Sequence, residues 1–168
     1  MIRNPNEGER CITGGALAGL AGGFAVQLFG VASAFINGQD VWPSFKGASL
    51  PFIGMSAIEP GFDLFAVMLG TTTHYLVAMV WGVVFAVIAY GLTRVATLIA
   101  ATAWGLVVWF AMNWVLLPLL GYSDVVRAMP VNVALFEHLL FGLAVGIVFV
   151  PFQKPYIGSL SDGLTTPA

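Results

Sequence analysis

The sequence predicts an all-α integral membrane protein: a four-transmembrane-helix bundle made of two parallel-repeat helical hairpins. Three observations predict it. Hydrophobic residues make up 59% of the 168 and charged residues only 8%, with a mean hydropathy of +0.93. A water-soluble domain carries roughly 25% charge, so lipid must be the solvent for most of this surface. Four apolar runs each reach the about 20 residues that a bilayer crossing needs. Finally, two of these runs repeat each other, histidine for histidine.

The first helix is expected at about residues 11–36, with Gln27 its one strongly polar interior residue. Arg3 and Arg10 could head a signal peptide, but the apolar run behind them exceeds a signal core of about 7–15 residues. It reads as a retained helix. The connection 37–63 mixes turn-formers with Trp42, Phe45, Phe52, Ile53 and Met55, which predicts an interfacial segment at headgroup level. A second helix is expected at about 64–92, with Pro60 and Asp63 placed to start it. Its length predicts a tilt. The third, about 95–117, stops near Pro118 and Gly121; the polar link Tyr122 to Arg127 leads to Pro130 and a fourth helix at about 130–150. Pro151 and Pro155 end it, and 156–168 is expected to be a disordered tail. The whole chain, 1–168, is expected to be a single membrane domain.

An even number of crossings leaves both termini on one side. Arg3, Arg10, Arg94 and Lys154 fall there, against Lys46 and Arg127 opposite. The positive-inside rule then predicts cytoplasmic termini. The net charge of −2, with six scattered basic residues, argues against a nucleic-acid partner. The single cysteine, Cys11, allows no internal disulfide. No nucleophile–base pair, phosphate-cradling loop or carboxylate dyad is present, so no enzyme is expected.

At an offset of 64 residues, the run from His74 to Phe85 lies over the run from His138 to Phe149. The coincidences are His74/His138, Leu76/Leu140, Gly82/Gly146, Val84/Val148 and Phe85/Phe149. The first and third helices match more weakly at an offset of 82, through Ala21/Ala103, Gly23/Gly105 and Val26/Val108. Two hairpins that each cross twice share one orientation, so they form a parallel repeat about the membrane normal.

Small residues recur every fourth position: Gly15, Gly19 and Gly23 before Gln27; Gly70, His74, Ala78 and Gly82; Ala134, His138, Gly142 and Gly146. Lipid tails are as apolar as leucine, so helices associate where small residues let backbones approach. These stripes are therefore the expected buried faces, and both histidines lie on them. An ionisable side chain inside a membrane helix is a functional candidate. Two readings follow. Each imidazole bonds across an interface, to Asn113, Gln27, Thr73 or a carbonyl, and fixes packing; or His74 and His138 together ligate the iron of one b-type haem, with Gly70, Ala78, Ala134 and Gly142 giving room for the macrocycle. Packing is the preferred reading. Glu137 points away from His138 around the helix; pairing with Arg127 and a place in a proton relay are open to it, and a headgroup-level or interhelical hydrogen bond is the preferred reading.

The chain also resembles the YagU-like group of small bacterial inner-membrane proteins, most of them of unknown function. The matching residues are Pro60 with Asp63, Leu69-Gly70, His74, Gly105 with Trp109, Pro118 with Gly121, and His138, Phe141, Gly142 and Gly146. They span about Thr13 to Phe149. Arg94 followed by Val95, where the group often has Arg-Gly, departs from the pattern. The resemblance implies the same four-helix topology and no established activity. The expected function is that of a non-catalytic accessory or structural subunit, in a homo-oligomer or a larger membrane complex. The alternatives are a haem b electron-transfer or quinone-interacting anchor and an oligomeric transporter or channel.

Overall fold

The computed structural model describes residues 5–153. The expected tail 156–168, and with it Arg3 and Lys154 of the charge argument, lies outside the described residues. Among the described residues, four helices are long and apolar enough to cross a membrane, and no strand occurs. They are α1 (Pro5–Ile36), α2 (Leu64–Ala89), α3 (Arg94–Leu119) and α4 (Val131–Phe149). In lipid every backbone amide must be satisfied within its own segment, and helices do this. The surface turned outward is oily: Phe35, Ile36 and Leu119 are among many large apolar side chains left exposed.

The start of α1 departs from the sequence reading by more than a turn, and the other ends of the four long helices lie within three residues of it. α1 starts at Pro5, before the apolar run, and carries Glu7, Glu9 and Arg10 on its first turns. Its 32 residues span about 48 Å at 1.5 Å each, well over the about 30 Å of hydrocarbon. The charged turns therefore project beyond the lipid. Arg10 donates to the Pro151 carbonyl at 2.6 Å, a cation at the end of α4, where the helix dipole is negative. α2 ends at Ala89, before Gly91 turns the chain with φ 98°. Its start is capped by Asp63, whose carboxylate accepts from the Ala66 N–H at 2.9 Å. That is the ordinary role of an N-cap aspartate.

Helix α3 contains a π-helical turn at Ala111–Leu116 just before Pro118. Proline cannot donate to the carbonyl four residues back, and its ring crowds that turn; the widened turn relieves both. Asn113, 5% exposed, sits in it and donates to the Trp109 carbonyl at 3.0 Å.

The two connections are folded. Residues 43–58 form a run of short helical turns rather than a loop. Lys46 is 2% exposed and donates to the carbonyls of Glu59 at 2.6 Å and Gly61 at 2.8 Å. Asp40 accepts from the Gly61 and Trp42 amides. Those hydrogen bonds, first of all the one from Gly61, and then the Lys46 charge hold its carboxyl below the usual range. Residues 123–128 form a short helix, and Tyr122 donates its hydroxyl to the Leu50 carbonyl at 2.9 Å, joining the two connections.

α1 packs along both α2 and α4, and α3 packs along α4, whereas α2 and α3 meet only sparsely. At the Arg10 end, Gln153 bridges that gap. It accepts from the Gly91 N–H at 2.7 Å and donates to the Ala89 carbonyl at 2.9 Å and the Thr97 hydroxyl at 2.8 Å.

Candidate functional site

Glycine sets how close the helices come. A methyl group at Gly19 would overlap the Ala78 carbonyl, and one at Gly82 the Gly15 carbonyl. Gly15 faces Ala86 and Gly82; Gly23 faces Ala78 and the His74 ring. On the other side of the bundle, Gly105 abuts the His138 carbonyl and Gly142 the Ala101 carbonyl. Gly146 meets Ala101 and Leu98. At Gly19, Gly82, Gly105 and Gly142 only glycine permits the backbone-to-backbone approach, which supplies dispersion contacts that hold membrane helices together. Two other expectations are redirected. Gly70 lies against the carbonyls of Phe45 and Lys46 in the connection, not against a neighbouring long helix. Ala134 lines a different cavity from His138.

The close pairs leave a central cavity of about 80 Å³. It is lined by Val26 of α1, His74 and Trp81 of α2, Val108 and Met112 of α3, and His138 and Phe141 of α4. Both histidines are half-buried there. His74 Nε2 lies 2.9 Å from the Gly23 carbonyl, across the α1–α2 contact. His138 Nδ1 lies 2.7 Å from the Ala134 carbonyl, one turn back on its own helix. A carbonyl can only accept, so in each case that ring nitrogen carries the proton. The opposite nitrogens, Nδ1 of His74 and Nε2 of His138, keep lone pairs when the rings are neutral. Trp104 braces the site by donating Nε1–H to the Trp81 carbonyl at 3.2 Å, its ring edge-on to Trp81 at 5.7 Å.

The haem expectation meets a size test here. A cavity of about 80 Å³ holds a few waters and falls far short of a tetrapyrrole. Ala78 and Gly142, two of the small residues expected to make room for one, are occupied with backbone contacts instead. The site does not fit haem.

The other polar residues lie elsewhere. Gln27 is 8% exposed, and its Nε2 has no hydrogen-bond partner among the described residues. Glu137 faces Gly30 of α1 beside Ser44. It does not pair with Arg127, which engages Asp124 at 2.8 Å, three residues earlier on the same short helix and exposed to solvent. Asn113 and Arg127 border a larger cavity of about 300 Å³ beside the π-helical turn, together with Trp109, Trp114 and Pro118. Sequence reasoning missed Met112 as a neighbour of the histidines and missed the bridging Gln153 and the buried Lys46. A glutamine and a lysine inside apolar, aromatic stretches were the available signals.

Comparison with family models, curated proteins and solved structures yields no match for this chain.

Proposed function

We propose that this chain is a small polytopic protein of the bacterial inner membrane, with cytoplasmic termini, that acts as a non-catalytic accessory or structural subunit. It would pack against copies of itself or against a larger complex. The observation that carries this reading is how the interior is used. Stacked glycines bring backbones together at Gly19–Ala78 and Gly105–His138, and each imidazole is tied to a carbonyl. The bundle is thus a compact, self-supported unit with a large outward apolar surface. Its small central space favours a scaffold over a haem anchor or a one-copy conduction path.

The two-hairpin duplication belongs to the same proposal. Equivalent positions come together, though not always through the same atoms: Gly23 meets the His74 ring and Gly105 the His138 carbonyl, and Gly19 lies at Ala78 as Ala101 does at Gly142. The symmetry is incomplete, since α1 packs on α4 while α2 and α3 barely touch. Kinship with the YagU-like group rests on the histidine and glycine motif of α4 and is proposed with it.

Native mass spectrometry of the full chain ejected from lipid nanodiscs tests the subunit reading. A defined homo-oligomer or a stoichiometric complex is expected. A strictly monomeric chain, or one with a haem absorbance band abolished in His138→Ala, would sink it.

A further inference from the structure

We propose that the central cavity is a binding site for a soft monovalent metal ion, Cu(I), held by the lone pairs of His74 and His138 and the thioether of Met112. These three side chains come from α2, α4 and α3 and line one space of about 80 Å³, enough for an ion and a water. The hydrogen bonds give each ring the polarity of a metal ligand. His74 Nε2–H and His138 Nδ1–H are held by the Gly23 and Ala134 carbonyls. Metal-binding histidines use the same device, which fixes the ring and makes the other nitrogen more basic. Neither of those other nitrogens has a protein hydrogen-bond partner among the described residues.

The choice of ion follows from charge and softness. The rest of the lining is aliphatic or aromatic, with no carboxylate to offset a cation. The cost of burying an ion in a low-dielectric interior rises with the square of its charge, so a divalent ion is penalised about four times as heavily as a monovalent one. Among the described residues, no three His, Cys, Asp or Glu side chains converge as Zn(II) would require. Two imidazoles and a thioether are instead a ligand set that Cu(I) accepts. This site does not depend on the subunit reading, because an isolated bundle would bind the ion equally well.

The test uses the full chain in detergent, under anaerobic conditions, carrying Cys11→Ala throughout so that the only thiol cannot compete. Cu(I) is offered in competition with a chromogenic chelator. One ion per chain is expected, with X-ray absorption showing two nitrogens and one sulfur, and Zn(II) is not retained. Met112→Leu conserves volume and should weaken Cu(I) retention at least about tenfold, a loss that even removing a metal ligand's outer hydrogen-bond partner can cause. Its helical circular dichroism and melting should stay as in the parent. His138→Gln is the second variant, with the same expected loss. The assignment is overturned if the parent releases all its Cu(I), if Zn(II) is retained in preference, or if both variants bind Cu(I) as the parent does.

Discussion

Replacing Gly105 by alanine puts a methyl group onto the carbonyl of His138, 3.0 Å from its carbon and 3.2 Å from the Gly142 nitrogen. All three atoms belong to the backbone of α4, so no side chain can rotate away and α3 must move off α4. Overpacking of this kind costs typically about 1–3 kcal/mol, and a backbone-against-backbone overlap belongs in the upper half of that range. For a chain of this size each kcal/mol moves Tm by about 2–4 °C, so a loss of about 4–12 °C is expected. The protein supplies its own probe: Cys11 is the only cysteine and is 0% exposed. Its reaction with a thiol-reactive dye during heating reports opening of the bundle. Two companions grade the effect. A methyl group at Gly22 meets the Phe141 ring at 2.7 Å and a Val145 methyl at 2.9 Å, side-chain atoms that can give, so Gly22→Ala should lose less. At Gly47 nothing lies within 4 Å and φ is −51°; Gly47→Ala should be neutral or gain up to about 1 kcal/mol from the unfolded chain's lost freedom. A Gly105→Ala protein that melts with the wild type, or an inverted order in the series, would refute the claim that glycine contacts hold these helices.

The remaining expectations concern polar groups. Gln153→Leu leaves the buried Ala89 carbonyl and Thr97 hydroxyl without this partner, a cost of about 1–3 kcal/mol for a buried group left unpaired; the same thiol-dye melt measures it, with an unshifted Tm counting against the bridging role. Asp40 has a lowered folded-state pKa, so its contribution is present above the unfolded value of about 3.9 and disappears as pH falls through the lower folded value. Acid should therefore loosen the 37–63 connection, read as faster amide exchange at Gly61, and Asp40→Asn should flatten that dependence. Arg127→Ala breaks only an exposed ion pair with Asp124 and should change the melting free energy by less than about 1 kcal/mol.

Helix formation was legible from composition because the cause is local. A run of apolar residues in lipid has no water to satisfy its amides, so each run satisfies its own by coiling. The glycine stripes, likewise, mark where backbones can approach. What sequence could not convey was which stripe meets which. Gly105 and Gly142 have the same composition signal as Gly70, yet the first two meet across α3 and α4 while Gly70 faces the carbonyls of the connection.

That difference was decided by long-range geometry. The first connection is folded around buried Lys46 and fills the space beside α2. The π-helical turn before Pro118 lies where Met112 reaches the histidine cavity and Asn113 turns to the larger one. By itself, then, the sequence determined four helices, their buried faces and the two imidazoles, all consequences of near-neighbour chemistry in an apolar solvent. Tertiary structure alone decided that α1 sits between α2 and α4, that Gln153 closes the gap beside α3, and that His74, His138 and Met112 share one cavity. Those outcomes depend on how chain segments far apart in sequence fill the same volume, and no local pattern encodes that.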